Sequence, residues 1–303
     1  MFSCFSFLLQ LLTLLPRLVS GNTGTGVFKD DGPYDMFINL NKVKELHETT
    51  TDPEVVFGGN VTITSAIHIL EASQVQAHLG VAHHLKKIAS HGIRNQGSLA
   101  GNLMLKHQHK DFPSDVFVSF EGIGAILEVM TSSGEIRELS LLEFLDTTMD
   151  KSIIVKIKLP SLTSVNKRRN LQSLWSSSKT AKAMDWKFIS FKIMPRSSNA
   201  HAYVNAAFLA LVDSSDNFKI IEKPRLVFGG ISGEFVHAKA TEEFLIGRAM
   251  NSHDTFLEAL AILAEEIVPN ENPVLTSTLY RKQVALCLFY KVKNIQVSLL
   301  SIF

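Results

Sequence analysis

Ile93-Arg-Asn-Gln-Gly97-Ser98-Leu-Ala-Gly101-Asn102-Leu-Met104 decides how this chain is read. A helical pattern leads into it: Leu79, Ala82, Leu85 and Ile88 recur three apart, and Gly92 reads as a stop. Gly97, Ser98, Gly101 and Asn102 then follow within six positions, with no charge among them. Small residues let the backbone curl until successive N–H groups point at one spot, a nest for phosphate oxygens. The Ser hydroxyl and Asn amide can add donors. A tight turn around a buried Asn is an equally open reading of the spacing alone.

A second segment of the same kind lies upstream. Leu18-Val19-Ser20-Gly21-Asn22-Thr23-Gly24 passes from an apolar start to small, donor-rich residues. Two such segments suit a ligand with a pyrophosphate at its middle, and no lysine is needed where enough N–H groups converge. The chain contains no Gly-x-x-x-x-Gly-Lys-Ser/Thr string and no Gly-x-Gly-x-x-Gly. Those absences argue against a nucleotide triphosphatase and a Rossmann dinucleotide site.

The two segments together resemble the FAD-binding domain of the molybdenum hydroxylases, the family of xanthine dehydrogenase and aldehyde oxidase. Leu105-Lys-His-Gln-His109, running on to Phe112-Pro-Ser-Asp115, is similar to the animal aldehyde oxidases. The likeness continues through Ile189-Ser-Phe-Lys192 and Phe228-Gly-Gly230 to about residue 292. It implies an α+β fold: a two-lobed flavin-binding domain of the PCMH type, then a small sheet with a helical layer. It also implies FAD as cofactor. Leu18, Val19, Ser20, Gly21, Asn22, Thr23, Gly24 and Thr25, with Gly97, Ser98, Gly101, Asn102 and Met104, would meet the pyrophosphate and ribityl chain. Ile88 would form an apolar wall on the same side. Asp115 aligns with a family acid near the cofactor, across a loop several residues longer than the family's. Ile154 and Lys192 would approach the flavin from later strands. A cation at the ring's pyrimidine edge favours the anionic reduced flavin; a surface lysine on a strand is an equally open reading of Lys192.

Composition narrows the function. With 30 basic and 29 acidic residues the net charge is +1, which gives no basic excess for nucleic acid. Cys4 and Cys287 are the only two cysteines, whereas an iron–sulfur cluster takes four ligands. The resemblance is thus to the flavin portion of the family alone, and iron–sulfur and molybdenum-cofactor domains on another chain are one source of partners that it implies. Residues 1–17 begin with an apolar run from Met1 to Leu15, short of the roughly 20 residues of a membrane-spanning helix. No Lys or Arg leads it, as a signal peptide normally requires. A cut after Ser20 or Gly21 would remove part of the first loop. The expectation is a truncated or mis-joined start that is retained, and a cytoplasmic location; secretion is the alternative if the segment is a signal peptide.

The chain divides into an FAD-binding domain at 18–160, a Ser-, Lys- and Arg-rich linker at 161–184 and a C-terminal flavoprotein domain at 185–292. Strands are expected at 35–40, from Val55, at 124–131 and 135–139 (a hairpin), at 152–159, around 186–194, at 203–212 and at 218–228. Helices are expected at 41–47, from a Ser65 cap through Glu71, at 75–91, 141–146, 240–247, 254–267 and 276–291. The core face of the 254–267 helix would carry Phe256, Leu257, Leu260, Ile262 and Leu263. His83-His84 and His107-x-His109 lack the companions of a metal site and read as surface or helix-cap residues. The basic triplet Lys167-Arg168-Arg169 reads as a solvated linker. No Gly-x-Ser-x-Gly or His-Glu-x-x-His string points to hydrolysis.

The leading reading is a flavin module that passes electrons to NAD or oxygen. A non-catalytic remnant of the same fold is the alternative from another class, and a reductase of a cell-wall sugar precursor is a third member of the flavin fold. The chain purified free of partners and molybdenum should not hydroxylate aldehydes or purines, because it cannot ligate a cluster. An assay of product formation checks this, and turnover would refute it.

Overall fold

The computed structural model describes residues 16–162, 184–233, 235–271 and 276–298. The apolar segment before Pro16 and most of the expected linker, with its basic triplet, lie outside the described residues.

Pro16–Val19 (β1) and Met36–Asn39 (β2) pair in parallel, with Pro16 opposite Met36. A 3-10 turn at Thr23–Gly26 lies between them, and another at Lys44–His47 follows. The chain continues through Thr49–Thr50 (β3), Val55–Gly58 (β4) and four helices: Ile63–Ala72 (α1), Gln76–Leu85 (α2), His91–Gln96 (α3) and Leu99–Gln108 (α4). Asp115–Ile123 (α5), Ile126–Thr131 (β5), Ile136–Ser140 (β6), Leu141–Asp146 (α6) and Ser152–Leu159 (β7) complete the first unit. Its antiparallel sheet runs β3-β4-β7-β5-β6. The expected hairpin, the strand at 152–159 and the short helix at 141–146 all form. Ser140 and Glu143 start α6 with a reciprocal capping box.

The second unit holds Met184–Ile193 (β8), Val204–Asp213 (β9), Lys219–Ile220 (β10), Arg225–Gly229 (β11) and Val236–His237 (β12), then Lys239–Leu245 (α7), His253–Glu266 (α8) and Thr278–Ser298 (α9). Strand β9 is central, with β8 on one side, β10 and β11 on the other, and β12 outside β11. Expecting one helical layer understates this sheet. Ala206, Phe208 and Phe228 pack into the core under α7–α9, while Phe188, Ala207, Leu209 and Val227 join the core of the first unit. A strand covered on both faces reads as a continuous apolar run rather than an alternation, which is what 206–212 is. Gly122 of α5 lets the two units close up, since a Cβ there would lie 2.5 Å from that of Ala207.

Several sequence expectations are corrected. The helix drawn over 75–91 ends at Leu85, and Gly92 lies inside α3 rather than stopping a helix. Leu79 is exposed, and the buried stripe of α2 is Ala77, Val81, Ala82 and Leu85. Thr62, not Ser65, caps α1, accepting from the Ser65 amide. The strand drawn over 218–228 is two, β10 and β11, divided just before Arg225 by Pro224, which has no N–H for a ladder. Leu257 points to solvent, and Ala259 takes its place in the core between Phe256 and Leu263.

Charged groups join the units where α5 meets β11, β12 and α7. Glu121 pairs with Arg225, and its Oε1 lies 3.4 Å from His237 Nε2. His237 Nδ1 is 3.0 Å from Glu242 Oε1, which also accepts from the Leu226 amide at 2.6 Å. Burial disfavours the His237 imidazolium, but the two carboxylates override it and raise its pKa. A raised folded-state pKa means stability that is full below the ordinary histidine value and is lost as pH rises through the raised one. Chemical denaturation should therefore show the wild type losing stability as pH rises above the ordinary histidine value of about 6.5. A His237→Asn variant should show a shallower loss, and equal slopes would refute the role of His237.

Candidate functional site

A cleft of about 1240 Å³ opens along the first turn, the α3–α4 junction, the start of β7 and the facing ends of β8 and β9. Every residue picked from the sequence lines it except Thr25. The Thr25 hydroxyl instead donates to the Asn22 carbonyl at 2.9 Å and braces the turn.

The first segment is built from its partner strand outward. The Leu40 amide donates to the Val19 carbonyl at 2.8 Å, and Ser20 Oγ donates to Asn41 Oδ1 at 3.0 Å. Asn22 is left-handed, with φ 49° and ψ 28°, and the right-handed turn Thr23–Gly26 follows. That sequence of conformations turns successive N–H groups toward one point. Among the described residues, the amides of Gly21, Asn22 and Thr23 donate to nothing. A Cβ on Gly21 would stand 1.8 Å from the Gln96 carbonyl oxygen, so only glycine lets the two segments touch.

The second segment is not a curled loop. Gly97 and the cap Ser98 separate α3 from α4, and the rest is the first turn of α4. Four of its amides are already used: Leu99 donates to Val61 O, Ala100 to Gly59 O, Gly101 to Ser98 Oγ and Asn102 to Ser98 O, all within 3.1 Å. The nest therefore lies in the first segment. The second presents the Ser98 hydroxyl hydrogen and the Asn102 side-chain amide, whose Oδ1 is fixed by Ser114 Oγ at 2.6 Å. The positive end of the α4 dipole lies behind them.

The far wall carries charge. Lys192 Nζ donates to Asp115 Oδ2 at 2.7 Å and to the Lys87 carbonyl at 3.0 Å, with its side chain only 2% exposed. Asp115 Oδ1 accepts from Asn205 Nδ2 at 2.9 Å and lies 3.3 Å from His84 Nε2. Burial alone would raise the Asp115 pKa, but His84, Lys192 and Asn205 outweigh it and hold it at about 2. Lys192 is thus a buried ion-pair partner rather than a surface strand lysine. Ile88 and Ile154 are buried apolar neighbours of the cleft, and Met104 is half-buried. Phe112 and His201, unmarked in the sequence, add an edge-to-face pair with ring centroids 5.3 Å apart.

His84 and Asn205 were also missed. His84 is fully buried, not a surface or cap residue. Its position three after Val81, on the apolar stripe of α2, was the available signal. For Asn205 the signal was a single amide in an otherwise apolar strand. His109 stacks on Phe28 at 3.5 Å and contacts Asp31, while His107 meets the Thr147 carbonyl. Among the described residues no group of His, Cys, Asp and Glu could hold a metal, and no helix is long and apolar enough to cross a membrane.

Residues 8–162 match the model of the FAD binding domain in molybdopterin dehydrogenase, and residues 189–294 match that of the CO dehydrogenase flavoprotein C-terminal domain. An indole-3-acetaldehyde oxidase of Arabidopsis thaliana is 35% identical over 87% of this chain and 19% of its own length. The abscisic-aldehyde oxidase of the same plant is 32% identical over 89% of this chain and 20% of its own. The chain therefore spans about a fifth of the length of these curated relatives. The sequence pointed to animal aldehyde oxidases; the relatives named here are plant enzymes. Quinoline 2-oxidoreductase from Pseudomonas putida 86 superposes with a TM-score of 0.72 at 17% identity, over 98% of this chain and 94% of that one. Carbon monoxide dehydrogenase from Hydrogenophaga pseudoflava gives 0.74 at 17%, over 95% and 92%. At that identity the likeness is one of fold.

The Asp115–Lys192 pair makes a direct prediction. An Asp115→Asn variant leaves the Lys192 ammonium buried beside a neutral amide and should lose about 3–5 kcal/mol at neutral pH. Because the folded pKa is depressed, this stabilisation is present above the ordinary value of 3.8 and lost as pH falls through about 2. Urea titration of both proteins measures the difference; a loss below about 1 kcal/mol would contradict the pairing.

Proposed function

This chain belongs to the family of FAD-binding domains of molybdopterin dehydrogenases, and on that premise we propose that the cleft described above is its FAD site. The observation that carries this reading is the left-handed turn at Asn22, whose neighbouring amides are unspent and which abuts the α3–α4 junction at a glycine with no room for a Cβ. The amides of Gly21, Asn22 and Thr23 would hold the phosphates, joined by the Ser98 hydroxyl and the Asn102 amide. The volume of about 1240 Å³ exceeds the roughly 300–1,000 Å³ of ordinary small-molecule pockets, as a dinucleotide requires. Ile88, Ile154 and Met104 would give the ligand apolar contact and keep water from it.

When bound, FAD supplies acceptance and donation of electrons, one or two at a time. This chain's part is to bind it, orient it and set the field around it. The Lys192 ammonium, held by Asp115, would bring positive charge to the cleft wall, where it favours negative charge on the ligand. The likeness to plant aldehyde oxidases supports a role as the flavin module of an aldehyde-oxidase-like enzyme. Iron–sulfur and molybdenum domains carried elsewhere would deliver the electrons, and NAD or oxygen would take them up.

Two substitutions test the placement. Gly21→Ala forces the turn away from Gln96. Gly101→Asp sets a carboxylate at the α4 end, with its Cβ 2.8 Å from Ser98 Oγ. Both should lose stoichiometric flavin, as read by visible absorbance of the purified chain, while the far-ultraviolet dichroism stays unchanged. Stoichiometric flavin in both variants would overturn the placement.

A further inference from the structure

We infer that His84 and Asn205 tune the bound flavin through Asp115 and Lys192 without touching it, an inference that rests on the cleft being the FAD site. Asp115 and Lys192 line the cleft, whereas His84 and Asn205 lie behind them, both fully buried. Both of these residues converge on one carboxylate oxygen, Oδ1, and Lys192 takes the other. A carboxylate bound on both oxygens cannot rotate, so the ammonium opposite it is fixed as well.

The fold leaves polar groups unmatched to keep this arrangement. Among the described residues His84 Nδ1 and Asn205 Oδ1 have no hydrogen-bond partner, and buried polar atoms left so are a cost. Residue 229 must be glycine to leave room, since a Cβ there would lie 2.2 Å from Asn205 Oδ1. A leucine at 84 would suit the apolar stripe of α2 better if packing were its only task.

Electrostatics gives the direction. Donors on Oδ1 take up part of the Asp115 charge, which leaves more of the Lys192 field for the cleft. Removing a donor returns that charge to the ion pair and weakens the field. The reduced flavin carries more negative charge than the oxidised one, so it loses more.

The test is the midpoint potential of FAD bound to the full chain, with affinity from fluorescence titration. His84→Leu should bind reduced FAD about tenfold less well relative to oxidised FAD, a fall of roughly 30 mV for a two-electron couple. Lys192→Met should fall at least as far, and His84→Gln, whose amide can donate to Oδ1, should return toward the wild-type value. A stability defect alone would not follow that order. If the wild-type chain binds no FAD, the inference falls together with the site. If it binds FAD and His84→Leu keeps the wild-type potential, or His84→Gln shifts it as far as leucine does, only the inference is overturned. Should leucine at 84 prevent folding, Asn205→Ala carries the same expectation, and an unchanged potential there overturns it.

Discussion

A carboxylate and an ammonium withdrawn from water must meet, and in this chain that requirement binds the first unit to the second. Asp115 opens α5 and Lys192 lies near the end of β8. Their contact fixes where the helix end stands against the sheet, and the cleft is the space left in front of it. Ser114 reinforces the position from both sides, capping α5 through the Phe117 amide and donating to Asn102 on α4. Behind the pair, Gly122 and Ala207 bring α5 onto β9 closely enough for Asn205 to reach the carboxylate. Packing and ion pairing thus specify one geometry, which is what a site needs when ordinary side-chain freedom would blur it.

The opposite wall is organised on another principle. No lysine or arginine stands among residues 18–28. On the proposed reading, the backbone dipoles of this turn attract the anion beside Arg17, and they act only when aimed. The difference between the two glycine-containing segments is therefore the difference between spent and unspent N–H groups. At Leu99–Asn102 the amides close onto the backbone of 59–61 and onto Ser98, tying the helices together. At Gly21–Thr23 they are left facing the cleft. One segment is scaffold with two side-chain donors, and the other is the cradle.

How far the sequence reveals this follows from the range of the forces involved. Local signals read well: the Ser132-Ser133-Gly134 hairpin, the helical turn at 141–146 that becomes α6 and the β-branched run of β7 depend on neighbours in the chain. The division of 76–96 into α2 and α3 did not read, because Leu85 and Ile88 carry the helical spacing across the break. The chain turns at Ala89, whose φ is 41°, and restarts at Ser90, which caps α3 through the Ile93 amide. The cleft residues were legible as a set through their family pattern, but their roles were not. A glycine that gives room for a contact and one that frees an amide look alike in sequence. His84 and Asn205 were hidden for the opposite reason, since their partner lies 31 and 90 positions away.

The two walls also divide the work by what each can do. Oriented amides recognise shape at short range and add no formal charge, so they suit a phosphate chain that keeps its charge whether the ligand is oxidised or reduced. A paired ammonium does the reverse: its field reaches further and can be graded by what its counter-ion is bonded to. Placing the first on a turn locked by glycine contact and the second on buried strands separates affinity from electronic tuning. On the proposed reading, a change in the Asn22 turn would alter how tightly the ligand is held, and a change behind Asp115 would alter the relative stability of its charge states.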